Sequence, residues 1–307
     1  MNKLNTFMYL KEAGLLDGTP TSPIGIGGGT IPLYGNRYFV DSTTGSDTRD
    51  GKSWSTALKT LAAAYAKVED GRGDIIFLSP FHQETFTSTF DFRNLGEKNG
   101  FGIIGVPFAN RKPTFTFTSG IGHAFYYGSV LSNAVFANFR IKHSGTTSGD
   151  AFLLSYPIDC LLYGIDISGG FGYAFNAPTN SSMMILDSLV ITTTGAAGIL
   201  LSKGGSSIVK NTVIMGSYTT ACISCGASFT DKAYFKDCQC SNENATGKCI
   251  NGPTMTGYVV LHDVALYSAA GAQYPVSGRV AAINVQAAEL STYGTSKIMA
   301  NQADFTS

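Results

Sequence analysis

Charge is what this chain has little of. Asp, Glu, Lys and Arg make up 14% of its 307 residues, and the formal net charge is zero. A protein that grips nucleic acid through the phosphate backbone needs a basic face to displace counterions. No group of Lys or Arg is denser here than Arg111 and Lys112, so no nucleic-acid partner is expected. Nor does any apolar run approach the roughly 20 residues of a membrane span. Met1 to Leu16 lacks the unbroken apolar core of a secretion signal, because Lys11 and Glu12 follow the short run Phe7 to Leu10. Synthesis in the cytoplasm is the expectation, and with it six cysteines that stay reduced.

What the chain does have is 44% hydrophobic residues, 36 Gly and 20 Phe. Its surface must therefore be built largely from Ser, Thr, Asn and Gly. That is a β-rich profile, since helical proteins solvate their outer faces with Glu, Lys and Arg.

A repeat underlies this composition. The second apolar residue of each x-apolar-x-apolar segment falls in one column: Phe117, Ile141, Ile167, Ile191, Ile214, Cys240 and Leu266, spaced 24, 26, 24, 23, 26 and 26 residues apart. Two positions earlier stand Phe115, Phe139, Ile165, Leu189, Thr212, Cys238 and Val264, the period-2 alternation of a strand. One position before those come Thr114, Asn138, Gly164, Ser188, Asn211, Asp237 and Asp263, residues that favour turns. This is read as a corner. A second apolar column, Phe125, Phe152, Phe175, Ile199, Ile223, Ile250 and Ile283, keeps step with the first until a final spacing of 33, which places an insertion at Gly271 to Gly278. The Leu-x-x-Leu-x-Leu pattern of leucine-rich repeats is absent, and no coil carries a helical period. Strands stacked coil on coil remain: an all-β, single-stranded parallel β-helix of about eight coils, roughly 40 Å tall at the usual strand spacing.

The expected organisation is an N-terminal arm and Gly-rich linker over 1–37, a cap of strand, loop and short helix over 38–74, the β-helix over 75–285, and a C-terminal cap or tail over 286–307. Within the cap, Ser53 or Ser55 is placed to cap a helix in the alanine-rich stretch Leu58 to Val68. Val40-Asp41-Ser42 to Trp54, that stretch, and Gly73-Asp74-Ile75-Ile76-Phe77-Leu78 with Glu84 downstream resemble the opening of right-handed, pectate-lyase-like parallel β-helix proteins, especially those of bacteriophage virions. The resemblance covers about residues 38 to 285. It implies right-handedness and frequent trimerisation, and it does not fix function.

Leu4, Phe7, Met8, Leu10, Leu15 and Leu16 form an apolar set in the arm. Such a segment either folds back on the β-helix as part of the cap or docks on a neighbour as an assembly arm. Its polar face has no basic stripe for a membrane surface.

Candidate chemistry is sparse. Polysaccharide cleavage needs paired carboxylates about 5 to 10 Å apart. The outward column Thr116, Arg140, Asp166, Val190, Val213, Gln239 and Ala265 holds one carboxylate. Asp237 and Asp263, with Lys236 and His262 beside them, are the best pair, but in the corner column turn chemistry accounts for them. Asp41, Asp47 and Asp50 lack the ladder and terminal Glu of a calcium loop, so Asx-turns are expected there. Cys222, Cys225, Cys238, Cys240 and Cys249 have spacings that superficially suggest zinc, yet they share columns with apolar residues and read as small buried side chains. His82, His123, His143 and His262 occupy unrelated positions.

No catalytic residue, metal or cofactor is therefore assigned. The expectation is a non-enzymatic virion building block: a homotrimeric capsid decoration protein docked on the major capsid protein, or another virion protein, through its arm and cap. The alternative is a short tailspike or polysaccharide-binding protein, or a depolymerase, stacking sugars on Tyr126, Tyr127, Tyr163 and Tyr173.

Overall fold

Short extended segments divided by turn residues pair in parallel, coil upon coil, and the chain winds into a right-handed parallel β-helix. The computed structural model describes the strands Ile24–Ile26 and Gly29–Ile31 and, apart from short gaps, residues 35 to 289. The arm residues Leu4, Phe7, Met8, Leu10, Leu15 and Leu16 lie outside the described residues.

Each coil presents three faces in chain order. On the first, strands such as Phe101–Gly105 and Val135–Ala137 stack Tyr38, Ile76, Ile103, Phe136, Leu162, Leu186, Val209, Phe235 and Leu261 in register. A corner follows. On the second face Ile141, Ile167, Ile191, Ile214, Cys240 and Leu266 align in successive coils. On the third, Phe125, Phe152, Phe175, Ile199, Ile223 and Ile250 do the same. These side chains are buried in one continuous core, each large one contributing about 1.5–3 kcal/mol.

Backbone conformation shows why the corner column is Asn, Gly, Ser and Asp. Asn138, Gly164, Ser188, Asn211, Asp237, Asp263 and Asn284 all have φ between 50° and 60°. Glycine enters that left-handed region freely, and short polar side chains tolerate it. The turn does not break the ladder. The N–H of Asn138 donates to the carbonyl of Tyr163, Gly164 to Asp187, Ser188 to Lys210, Asn211 to Lys236 and Asp237 to His262, all at 2.9–3.1 Å.

The register departs from the sequence reading at both ends. Ile141 aligns with Phe115, not Phe117, and Phe117 aligns with His143. A slip of one residue would turn every side chain to the opposite face, but a slip of two leaves Phe115 and Phe117 both pointing inward. Alternation therefore cannot detect it. At the other end Ile250 aligns with Val276, and Ile283 with His262 on the first face, so the spacing of 33 and the insertion inferred from it are withdrawn. The repeat also reaches beyond its expected limits, since Gln286–Glu289 pairs with Ala265–Ser268.

At the N-terminal end, the strand Arg37–Val40 pairs in parallel with Asp74–Leu78 and is itself a rung of the first face. The helix is shorter than the alanine-rich stretch, Leu61–Ala66, and its cap is Thr60; Ser53 instead closes a capping box on the turn Trp54–Thr56. Tyr65 of this helix meets Phe90, Phe92 and Phe101 edge-on at 4.9–6.4 Å. Buried His82 ties the loop to the stack. Its Nδ1 accepts the Ser42 N–H at 3.1 Å, which leaves Nε2–H to donate to Glu84 at 3.1 Å, and Glu84 also accepts the Leu61 N–H.

Candidate functional site

The corner pair has the placement expected of it. Asp237 and Asp263 occupy consecutive coils at the left-handed turn. Each carboxylate has a partner from its own surroundings: Lys236 lies 4.0 Å from Asp237, His262 lies 3.6 Å from Asp263, and Asn284 donates to Asp263. Tyr234 holds the other ring nitrogen of His262 at 3.2 Å. Lower in the stack, Asp187, one residue before the corner, accepts from the corner residue Asn211 and pairs with Lys210 of the next coil at 3.1 Å. Turn geometry accounts for the whole column.

Other acids are similarly engaged. Asp166, the carboxylate of the outward second-face column, is held by Lys112 at 2.7 Å and Arg140 at 3.2 Å. In the cap loop, Asp41 accepts the Thr43 N–H, Asp50 the Lys52 N–H, and Asp47 those of Lys59 and Thr60. Among the described residues, no group of three or more His, Cys, Asp or Glu side chains is arranged to hold a metal ion. The six cysteines are buried free thiols. Burial pushes Cys160, Cys225 and Cys238 up to about 12. Cys222 is driven higher still, by burial and by the neighbouring thiols of Cys240 and Cys249.

The third face carries a cluster that the sequence reading left scattered. Asp91 and Arg93 form a bidentate pair, with N–O distances of 2.7 and 3.0 Å. The Arg93 guanidinium lies 4.3 Å from the centre of the Tyr126 ring, which faces His123 at 5.8 Å. His123 Nδ1 accepts the Asp150 N–H at 3.1 Å, and nearly buried Asp150 accepts from Asn176 at 2.9 Å. Tyr173 aligns with Asp150, and its phenol is pushed up by burial and by that carboxylate. Two residues before Phe125, Phe152 and Phe175 stand His123, Asp150 and Tyr173. Reading that column would have joined them. Tyr127 does not share this surface; it is fully buried and donates to the Lys98 carbonyl at 2.8 Å, so it is withdrawn as a sugar-stacking residue.

A second feature is an uncharged lane on the outer side of the second face. Above Asp166, aligned outward positions read Val190, Val213, Gln239 and Ala265, and beside them Thr192, Met215, Ser241 and Tyr267. Val190 and Met215 are 41% and 37% exposed.

No protein-family model matches the chain, and no curated protein matches it. Among solved structures it is similar to a rhamnogalacturonan lyase, with a TM-score of 0.49 and 12% identity over 82% of this chain and 68% of the other. At that identity the likeness concerns the fold. The expectation of a non-enzyme is withdrawn: the solved structure to which the chain is similar is a rhamnogalacturonan lyase.

Proposed function

We propose that this chain is a structural component of a bacteriophage virion, a capsid decoration protein assembled as a homotrimer and anchored at its N-terminal end. The observation that carries the reading is the uncharged lane of Val190, Thr192, Val213 and Met215. A sheet face with uncharged, partly apolar outward residues suits contact with a second copy of itself, and closed symmetry makes such contacts self-limiting. Light scattering of the purified chain tests it. A trimer is expected, and Met215→Lys should shift it to monomer while circular dichroism stays unchanged. A monomeric parent chain counts against the reading. Electron microscopy of the source particle should place the mass on the head rather than the tail.

A second reading is favoured by the third-face cluster. Arg93, Tyr126, His123, Asp150 and Tyr173 combine aromatic rings with charge-paired polar groups, a composition suited to sugar hydroxyls and carboxylates. Incubation with host capsular polysaccharide, followed by assays for binding, reducing ends and unsaturated products, separates a glycan-directed role from a purely architectural one. Glycan binding lost in Arg93→Ala would support this second reading.

A further inference from the structure

The first face is apolar on both sides in its lower half. Ile76, Ile103, Phe136, Leu162 and Leu186 belong to the interior core. Their neighbours in sequence, which alternate to the outer side, form a separate buried cluster that includes Ile75, Phe77, Ile104, Val135, Leu161 and Ile185. Along one outer column the residues are Phe39, Phe77, Ile104, Ala137 and Tyr163; continuing upward in the same register they become Asp187, Lys210, Lys236 and His262. The change from apolar to charged occurs between one coil and the next. A sheet that meets water on its outer side carries polar residues there; in the upper half one outer column is charged, while its neighbour continues as Ile208, Tyr234 and Val260. The lower half reads as a sheet with a layer on top.

The described apolar residues packed on this strip are Phe39, Trp54, Tyr163 and Ile208. Phe39, Tyr163 and Ile208 belong to the face itself. Trp54, from the cap loop, stands edge-on to Phe39 at 4.8 Å and covers the lower end.

We propose that the strip is the seat of this chain's own N-terminal segment, with Leu4, Phe7, Met8, Leu10, Leu15 and Leu16 laid along it. Three observations select that occupant. The described chain enters the stack at Gly35, whose N–H donates to Gly73 beside Asp74–Leu78, so the segment emerges at the foot of this face. Residues 1–16 as a helix measure about 24 Å, and the strip from Phe39 to Ile208 rises roughly 30 Å at the spacing of paired strands. The segment's apolar residues match the strip in chemistry, and a tethered segment is present at high effective concentration. In this arrangement the arm is a third layer of the body, and its polar side is what it offers to anything else.

Cysteine accessibility tests the seat. Ala137 is fully buried on the strip, and the native thiols are buried in the core or beside it. Ala137→Cys in the full chain should react with a maleimide no faster than the parent protein. In the same variant lacking residues 1–23, or carrying Phe7→Asp with Leu10→Asp, labelling should accelerate about tenfold or more while the β circular dichroism is kept. Rapid labelling in the full chain, or equal protection with and without the segment, overturns the proposal. Protection that disappears on dilution overturns it too, because the cover would then come from another copy. The point variants keep the test valid where the truncated chain fails to fold.

Discussion

The lower and upper halves of the stack solve one geometric problem with different residues. Up to the coil of Phe152 the interior is aromatic: Phe92, Phe101, Phe125, Phe136 and Phe152 lie in a network of ring pairs 5.4–6.4 Å apart. Above it the same three columns are mostly aliphatic, with Phe175 and Phe235 as aromatic members, and Cys222, Cys240 and Cys249 are fully buried. Parallel strand pairing runs through both halves, with register shifts at Lys142/Thr146, Leu154/Tyr156, Gly195/Ala197 and Leu201/Lys203. A column therefore specifies an inward, apolar position rather than a residue. The lower half adds aromatic contacts, each worth about 0.5–1.5 kcal/mol beyond burial, together with an apolar outer side. On the first face the upper half instead presents the charged outer column Asp187, Lys210, Lys236 and His262.

Truncation should break that symmetry first. Phe136→Ala, which removes a ring packed against Phe92, Phe101 and Phe152, is expected to cost about 4 kcal/mol in denaturant unfolding. Cys240→Ala, at an equally buried upper position, should cost only about 1 kcal/mol. Equal losses would show that the halves do not differ in packing.

The foundation of the lower half should respond to acid. Asp74 is fully buried, and burial raises its pKa. Arg72 and the N–H groups of Glu69 and Asn36 outweigh that effect and hold the carboxyl below its ordinary 3.8. A lowered pKa in the folded state means that this stabilisation is complete above the unfolded value and is lost as pH falls through the folded one. Stability should thus be level above about pH 5 and decline below about pH 4. Asp74→Asn should lower the plateau by about 3 kcal/mol and flatten the acid limb. An unchanged pH profile in the variant would remove Asp74 from this role.

The smallest effects belong to the corner. Asp237→Val, forcing a branched side chain to φ 52°, should cost about 1–2 kcal/mol, whereas Asp237→Gly should be nearly neutral. If both variants behave alike, the left-handed turn is not what selects the residue.

Legibility in the sequence followed exposure to water. The second and third faces could be read because their strands bury one side, as in Thr114–Phe117 with its intermediate-buried alternation. The lower coils of the first face were missed because Asp74–Leu78 and Phe101–Gly105 are buried at every position. Such strands show no period of two. The corner was legible because left-handed backbone admits few residue types. His123, Asp150 and Tyr173 were not joined, because each coil contributes one residue and about 25 others separate them in the chain.

A crystal structure tests the central claim most directly. Phe115, Ile141, Ile167, Ile191, Ile214, Cys240 and Leu266 should stand in single file beneath a left-handed corner running from Asn138 to Asn284. Density that sets Phe117 against Ile141, or that pairs these strands antiparallel, would contradict it.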